Sequence, residues 1–385
     1  MLRAPLVSAD TSGLLDALGQ LGAVCTIDGA DWHLEGVGGR FPRGGAVDLG
    51  DGGTPARFML AAAALADGGV TVDGSARMRE RPVDEGVELL RSLGVSLSGT
   101  GAPEALPVRV DPWSPASGGR LAVARTASSQ FISALLLIAP WTRDGITIEF
   151  TEPPTSRTYL ELTTQLLGRL GANVTVDDRT RIDVGSGGVA PFELAIEPDA
   201  SSAIYWWAAA AMVPGARVSV PIPSDSVQPD LHALDLLEQL GATVERSETA
   251  IAVVGPPRLE GATLDAEACP DAAVMLAVVC ACASGGSRIN GLHTLRVKET
   301  DRIHALASEL GKTGCQVVEH PDAIELDPGA TTEGPIRVHT WNDHRIAMAF
   351  GVLGLVRPDV QIEDPGCVGK SYPGFWTDRA RLIHG

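Results

Sequence analysis

Two helical patterns recur along the chain and alternate with each other, which restricts the fold more than any other feature of the sequence. The first is an amphipathic helix that ends in a glycine and leads into an extended segment. Leucines three and four residues apart give such a helix one buried stripe, and the glycine is typical of a left-handed helix cap. We therefore expect five half-exposed helices, which end near Gly22, Gly94, Gly171, Gly241 and Gly314.

The second pattern is an apolar, alanine-rich helix followed by a short turn and a strand. A helix that is apolar on every side has to be buried on every side. Copies within each series are roughly 70–77 residues apart, which matches a small α/β unit better than a solenoid repeat. The five copies are FMLAAAALADGGVTV, ISALLLIAPWTRDGITIEF, YWWAAAAMVPGARVSV, AVMLAVVCACASGGSRI and AMAFGVLGLVRPDVQI.

The repeat predicts an α/β protein with two similar lobes. About three units' worth of chain lies on each side of Ile196–Pro198, so we predict an N-terminal lobe over residues 1–196 and a C-terminal lobe over residues 197–385. The first half-exposed helix, Leu14–Leu21, has no buried helix before it. We therefore expect an incomplete first unit and an exposed apolar groove in the N-terminal lobe.

Charge and composition restrict the partners of the protein. The formal net charge is −18 over 385 residues, which argues against nucleic acids and anionic membranes because both need broad basic patches. Converging arginines and lysines can still bind small anions. No apolar run is long enough for a signal peptide or a membrane span. We expect a cytoplasmic protein, monomeric unless the N-terminal groove makes it a dimer.

Three polar motifs stand where apolar helices begin. GDGGT covers Gly50–Thr54, TASSQF covers Thr126–Phe131 and PDAA covers Pro270–Ala273. Glycines, hydroxyls and unpaired backbone N–H groups at a helix start favour a phosphate or another anion. Each motif alone is equally consistent with an ordinary turn or helix cap.

Four further motifs concentrate charge: RMRER, RVKETDR, NDHR and GKSYP. RVKETDR is the most specific, because helix capping alone would not require Lys298, Glu299 and Arg302 together. Such a set suits two anionic substrates and proton transfer, and the spacing of its residues does not indicate a metal site, a P-loop or a dinucleotide fold. The candidate cations are Arg77, Lys298, Arg302, Arg345 and Lys370, and the candidate proton carriers are Asp271, Glu299 and His344.

Taken in order, these motifs resemble those of the 5-enolpyruvylshikimate-3-phosphate synthase family. The resemblance rests on GDGGT, RMRERP, SSQF, DASSA, PDAA, RVKETDR, NDHR and DPGC…K, and it runs from about Ser8 to the C-terminus. It implies the two-lobed enolpyruvyl transferase fold of repeated βαβαββ units. It also implies transfer of the enolpyruvyl group of phosphoenolpyruvate to the 5-hydroxyl of shikimate 3-phosphate, with loss of phosphate and without a metal or organic cofactor.

The resemblance further implies a role for each matching residue. Asp271 would take the proton of the 5-hydroxyl, Glu299 would move protons at the methylene carbon, and Lys298 would bridge the two substrates. Shikimate 3-phosphate would contact Ser128, Ser129, Gln130, Ser156, Asp271 and Lys298. Phosphoenolpyruvate would contact Gly53, Arg77, Arg302, Arg345 and Lys370.

The sequence departs from the family pattern at three places. The N-terminal PGSKS…NR segment has no counterpart, Asp51 stands where asparagine is usual, and Thr294 stands where asparagine or serine is usual. Three interpretations stay open at this point. The chain is an ordinary synthase whose gene product is longer, a divergent transferase acting on a related ring alcohol, or a catalytically silent relative that binds a phosphorylated ligand.

Overall fold

The computed structural model of the protein describes residues 1–99, 105–177, 180–330, 332 and 334–384. Contacts divide the chain into two units, Met1–Ile196 and Glu197–Gly385. Each unit encloses its own apolar core. We refer to them below as unit 1 and unit 2.

Unit 1 contains six α-helices and twelve strands among its described residues. The helices are α1 (Ala9–Leu21), α2 (Gly53–Ala63), α3 (Ala76–Glu80), α4 (Asp84–Ser92), α5 (Gln130–Ile138) and α6 (Arg157–Arg169). The strands are β1 (Leu2–Arg3), β2 (Val24–Asp28), β3 (Asp31–Glu35), β4 (Gly45–Asp48), β5 (Val70–Asp73), β6 (Leu97–Gly99), β7 (Val108–Val110), β8 (Gly119–Val123), β9 (Ile146–Phe150), β10 (Val174–Asp177), β11 (Arg181–Val184) and β12 (Leu194–Ala195).

Unit 2 contains six α-helices and nine strands among its described residues. The helices are α7 (Ala200–Met212), α8 (His232–Gln239), α9 (Ala273–Ala281), α10 (Arg302–Gly311), α11 (His344–Leu353) and α12 (Phe375–His384). The strands are β13 (Arg217–Val220), β14 (Thr243–Arg246), β15 (Ile251–Val254), β16 (Thr263–Asp265), β17 (Ser287–Asn290), β18 (Gln316–Glu319), β19 (Ile324–Asp327), β20 (Ile336–Val338) and β21 (Val360–Ile362).

Three four-stranded sheets share one topology. Their orders are β4-β5-β7-β6, β8-β9-β11-β10 and β16-β17-β19-β18. In each, a buried helix joins the first two strands, which are parallel. A half-exposed helix then leads into an antiparallel hairpin. This is the βαβαββ unit that the family resemblance implies.

The sheet that contains β1 has the same strand order, but the strand at its first position, β12, comes from the end of unit 1. Its order is β12-β1-β3-β2, and β12 pairs with β1 in parallel, with Leu2 opposite Leu194. The position that the first strand of a repeat occupies elsewhere is therefore filled from the end of unit 1. This arrangement ties the first residues of the chain to the segment before Ile196.

Both predicted helix series are confirmed. Buried helices are α2, α5, α7, α9 and α11, while α1, α4, α6, α8 and α10 each bury one face. Gly22 ends α1 at φ +113°, and its N–H donates to the carbonyls of Gly19 and Leu18. Only glycine adopts this left-handed conformation without a steric penalty. The other four closing glycines also have positive φ, namely Gly94, Gly171, Gly241 and Gly314.

An apolar cavity of about 290 Å³ lies in unit 1 beside α1, α2 and α5. Its walls include Leu14, Leu18, Phe58, Leu137 and Trp141. It matches the apolar groove expected for this lobe. Among the described residues, no helix has both the length and the apolar character that a bilayer crossing requires.

Candidate active site

Asp271 is the centre of the charged cluster in unit 2. One carboxylate oxygen is 3.2 Å from Lys298 Nζ and 3.0 Å from Arg302 Nη1, and the other is 3.1 Å from Arg345 Nη2. The Asp271 side chain is only 20% exposed. Ion pairs that are this well shielded keep most of their strength. Three cations from two separate motifs, RVKETDR and NDHR, thus meet at one carboxylate.

Glu299 supplies a second carboxylate beside the first. Its Oε2 accepts from Arg302 Nη2 at 2.8 Å, and its Oε1 is 3.0 Å from Lys370 Nζ. Arg302 therefore bridges Asp271 and Glu299. Two acids held side by side by fixed cations form an arrangement suited to moving two protons in one reaction.

Asp343 forms a buried ion pair with Arg302. Arg302 Nε donates to Asp343 Oδ2 at 2.7 Å, and Asp343 Oδ1 accepts the backbone N–H of Arg345 at 2.8 Å. Asp343 is the N-cap of α11. One buried carboxylate therefore starts a helix and fixes the guanidinium that faces the two acids.

Local sequence explains why these side chains converge. PDAA stands at the entry of α9, RVKETDR runs into α10, and NDHR runs into α11, so the three motifs all lie at helix N-termini. Asp301 caps α10 by accepting the N–H of His304 at 3.1 Å, which makes Arg302 the first residue of that helix. The packing of α9 against α10 and α11 brings the three helix entries together.

Burial and charge shift the proton affinities in this cluster. Although burial opposes ionisation, Arg345, Lys298 and Arg302 hold the pKa of Asp271 well below its usual range. Burial lowers the pKa of Lys298, and the charge of Asp271 partly offsets that effect. Burial lowers the pKa of His344 to about 3, so this candidate proton carrier is neutral near pH 7.

Asp230 is a member of this neighbourhood that the sequence analysis missed. It is 2% exposed, and its Oδ2 accepts the hydroxyl of Ser201 in the first turn of α7. Burial and the nearby charge of Asp271 raise the pKa of Asp230 to about 6. An aspartate before the amphipathic helix α8 resembles an ordinary helix start, so the sequence pattern gives no sign that it interacts with Asp271.

In unit 1, Gly53 lies against a buried guanidinium. Gly53 is the first residue of α2, and a Cβ added there would lie 2.6 Å from Nη1 of Arg81. Arg81 is 5% exposed. The GDGGT motif therefore uses a glycine because an arginine occupies the space of a side chain.

Arg77, the arginine of this motif that the sequence analysis assigns to phosphoenolpyruvate, lies one turn earlier on α3. Its side chain is 41% exposed and pairs with Glu80 at 2.7 Å, one turn away on α3. Arg81 leaves the helix at ψ 137°, because the residue before a proline is driven to extended backbone. Pro82 therefore explains why the backbone of Arg81 is extended while that of Arg77 is helical.

Ser128 and Gln130 occupy the entry of α5. Ser128 Oγ accepts the N–H of Gln130 at 3.3 Å. The Gln130 amide accepts from Arg57 Nη1 at 2.7 Å and donates to Thr54 Oγ1 at 2.6 Å. The glutamine therefore links the SSQF and GDGGT motifs, and Arg57 is a buried contributor that the sequence analysis did not identify.

Ser129 and Ser156 are the N-cap residues of α5 and α6. The hydroxyl of Thr155 donates to the carbonyl of Thr126, which holds the two helix entries side by side. Ser156 adopts the left-handed conformation at φ +46°, which is rare for a residue with a side chain and costs about 1–2 kcal/mol. The predicted serines of unit 1 thus lie at two neighbouring helix N-termini, where an anion binds well.

Within the part of the chain that the structure describes, no three His, Cys, Asp or Glu side chains are grouped as a metal site would require.

Comparison of the sequence with known families gives one match over nearly the whole chain. The family described as EPSP synthase (3-phosphoshikimate 1-carboxyvinyltransferase) matches residues 1–378. The 3-phosphoshikimate 1-carboxyvinyltransferase of Syntrophobacter fumaroxidans is 38% identical over 99% of this chain and 90% of that protein. The enzyme of the same name from Cellvibrio japonicus is 36% identical, with the same coverage.

Solved structures agree with the fold. EPSP synthase from Acinetobacter baumannii superposes with a TM-score of 0.77 at 24% identity, over 99% of this chain and 89% of that one. The enolpyruvyl transferase NikO from Streptomyces tendae gives 0.76 at 17% identity, over 99% and 88%. The predicted enolpyruvyl transferase fold is confirmed. With the sequence matches over its whole length, the chain belongs to the EPSP synthase family.

Proposed function

We propose that this protein transfers the enolpyruvyl group of phosphoenolpyruvate to the 5-hydroxyl of shikimate 3-phosphate and releases phosphate. The observation that carries the proposal is the convergence of Lys298, Arg302 and Arg345 on Asp271. Membership of the EPSP synthase family and the shared name of the relatives support it. The reaction belongs to the biosynthesis of aromatic amino acids.

The reaction needs an acid and a base close together. The methylene carbon of phosphoenolpyruvate gains a proton while the 5-hydroxyl loses one, and the hydroxyl oxygen bonds to the central carbon. The resulting tetrahedral intermediate loses phosphate and a methyl proton, which restores the double bond. Asp271 is the base for the hydroxyl, and Glu299 delivers and later removes the proton at carbon.

The paired cations make Asp271 a weak base before the substrates bind. Arg345, Lys298 and Arg302 stabilise its ionised form. An anionic substrate competes for the same guanidinium and ammonium groups, so its binding draws positive charge away from Asp271. The carboxylate then becomes more basic when the hydroxyl is in place. Lys298, which is only 22% exposed, bridges the two substrates in this scheme.

Phosphoenolpyruvate is held by the cations of unit 2 that contact the two acids, Arg302, Arg345 and Lys370. A guanidinium fork suits a carboxylate or phosphate bidentately. In unit 1, Gly53 offers a backbone N–H at the start of α2. The geometry favours Arg81 over Arg77 as the arginine that contacts phosphoenolpyruvate beside Gly53. Arg81 packs on Gly53, whereas Arg77 pairs with Glu80.

Shikimate 3-phosphate is bound by the serine motifs of unit 1 together with Asp271 and Lys298. Ser128, Ser129 and Ser156 offer hydroxyls at two helix N-termini, where the helix dipoles favour a phosphate. Gln130 is held in place by Arg57 and Thr54. The left-handed backbone conformation of Ser156 restricts the direction in which its hydroxyl can point.

The proposal includes no metal and no organic cofactor, because acid–base and electrostatic catalysis supply every step. It also places the protein in the cytoplasm as a monomer. The apolar cavity of unit 1 is the surface through which a dimer would form.

A phosphate-release assay with both substrates tests the proposal. Wild-type protein should release phosphate only when phosphoenolpyruvate and shikimate 3-phosphate are both present. Asp271→Asn should lower kcat by about two to four decades. Asp225→Asn, at an exposed aspartate outside the cluster, should match the wild type. Binding of both substrates without phosphate release would instead identify a catalytically silent relative.

A further inference from the structure

The segment between β20 and α11 is a turn with two consecutive residues of positive φ. Trp341 lies at φ +58° and Asn342 at φ +53°, and the N–H of Asp343 donates to the carbonyl of Thr340 at 2.9 Å. Positive φ at both central positions of a turn favours glycine, asparagine or aspartate. A tryptophan in this conformation is sterically unfavourable, so other contacts have to hold the turn.

Glu309 on α10 supplies these contacts. It is 1% exposed, its Oε1 accepts the indole N–H of Trp341 at 3.1 Å, and its Oε2 accepts the backbone N–H of His339 at 3.0 Å. Lys312 pairs with the same carboxylate. The rings of His304 and His339 pack edge-on against the indole. One buried carboxylate therefore binds the chain just before the turn and at the first of its two left-handed residues.

The turn leads directly into residues of the candidate active site. Asp343 accepts from Arg302 Nε at 2.7 Å and from the backbone N–H of Arg345 at 2.8 Å. Arg302 and Glu309 both belong to α10 and are buried. Since they are seven residues apart, they lie two turns from each other on the same face of the helix. This helix face thus holds both ends of the turn.

We propose that Glu309 is a positioning residue for the phosphoenolpyruvate site. By holding Trp341 in the left-handed conformation, it fixes the backbone that enters α11 and thereby the directions of Asp343 and Arg345. Its oxygens accept from the turn segment and from Lys312, so it acts through the backbone. This inference rests on the proposed function only in taking phosphoenolpyruvate as the anion that Arg345 binds.

The first test changes the backbone preference of the turn at an exposed position, Asn342. Asn342→Gly adopts positive φ freely, so the KM for either substrate should stay within about twofold of the wild type. Asn342→Val strongly disfavours positive φ, so the KM for phosphoenolpyruvate should rise about tenfold. The KM for shikimate 3-phosphate should change less than about twofold, because the serines of unit 1 hold that substrate. Equal KM values for phosphoenolpyruvate in the two variants would overturn the inference.

Trp341→Phe tests the anchor of the turn. It keeps an aromatic ring and removes the N–H that donates to Glu309, so the KM for phosphoenolpyruvate should rise about three- to tenfold. Trp207→Phe is the matched control, because it removes the hydrogen bond from a buried indole to the carbonyl of Ile251. It should leave this KM unchanged even where the Tm falls. Equal rises in the two variants would contradict the inference.

Glu309→Gln tests the carboxylate itself. The amide replaces one acceptor oxygen by a donor, so at least one of the two bonds to the turn segment is lost and the KM for phosphoenolpyruvate should rise. Trp341→Phe should add little to that rise, because both changes break the same contact. Effects that multiply in full would contradict the proposal. If Glu309→Gln fails to fold, Trp341→Phe and the pair of variants at Asn342 decide.

A readout that does not depend on turnover uses ¹⁵N-labelled tryptophan. The indole resonances of Trp341 and Trp207 are identified by their loss in the two phenylalanine variants. The Trp341 resonance should change position in Glu309→Gln, while that of Trp207 should not. If the Trp341 resonance stays in place, Glu309 does not hold the indole and the inference fails. Absence of turnover in the wild type would overturn the proposed function, and the indole resonance then decides the inference by itself.

Discussion

Arg302 Nε donates to Asp343 Oδ2 at 2.7 Å, and the two side chains are 1% and 0% exposed. The guanidinium of Arg302 also reaches Asp271 and Glu299. The most buried ion pair of the cluster thus fixes the guanidinium that binds the two acids, Asp271 and Glu299. Its cost in desolvation is offset because nearly every donor of the guanidinium is used.

Loss of Asp343 should destabilise unit 2. Asp343→Asn leaves Arg302 without its most buried counter-charge, and breaking a buried pair typically costs about 3 kcal/mol. We expect a fall of several degrees in the calorimetric Tm. Asp359→Asn breaks the more exposed pair with Arg357 and should have a much smaller effect, because water and salt screen exposed ion pairs. Equal effects of the two variants would contradict this view of the cluster.

His344 should make the protein sensitive to acid. Burial lowers its pKa to about 3, so in the folded protein it stays neutral while the unfolded chain takes up a proton below pH 6.5. Its contribution to stability is complete above pH 6.5 and is lost as the pH falls towards 3. At pH 5 the loss is about 2 kcal/mol.

Calorimetric unfolding at pH 5 and pH 7.5 measures this effect. Between these two values wild type should lose about 2 kcal/mol more stability than His344→Gln. His232→Gln, at an exposed histidine, should keep the dependence of the wild type. If His344→Gln shows the same acid loss as the wild type, the imidazole is not held neutral by burial.

Asp230 should have the opposite dependence on pH. Its pKa is raised to about 6, so its contribution to stability is complete below the unfolded pKa and is lost as the pH rises through 6. Asp230→Asn should therefore stabilise the protein at pH 7.5 and have little effect at pH 4. The thermal unfolding midpoint at the two pH values checks this, and a destabilised variant at pH 7.5 would contradict it.

Arg81, rather than Arg77, should govern the affinity for phosphoenolpyruvate in unit 1. A lysine cannot reproduce the guanidinium fork, so Arg81→Lys should raise the KM about tenfold or more. Arg77→Lys should change it less than about twofold, because that side chain is exposed and paired with Glu80. Arg79→Lys, on the exposed pair with Asp73, is the control. A larger effect at Arg77 would support the assignment of Arg77 made from the sequence and contradict the one proposed for Arg81.

Much of the fold could be predicted because its signals are local. Leucine spacing identifies the half-exposed helices, and Gly22 and its counterparts adopt the left-handed conformation that their positions predict. RVKETDR could be assigned to a functional site because capping by Asp301 explains only one of its charges. The structure brings Lys298, Glu299 and Arg302 to the same place as Asp271.

The remaining residues depend on contacts between distant segments. Arg57 reaches Gln130 across 73 positions of sequence, and Ser201 reaches Asp230 across 29. Neither pair has a recurring local pattern. The contact of Arg81 with Gly53 likewise has no sequence signal of its own, because three arginines within five positions look alike until the backbone turns before Pro82.

³¹P NMR of the reaction mixture tests most directly whether this chain performs enolpyruvyl transfer. With wild-type protein, phosphoenolpyruvate and shikimate 3-phosphate, the resonance of phosphoenolpyruvate should decline. Inorganic phosphate and one new sugar-phosphate resonance should grow in equal amounts. Unchanged spectra after prolonged incubation with folded protein, or phosphate released without a new phosphorylated product, would contradict the account.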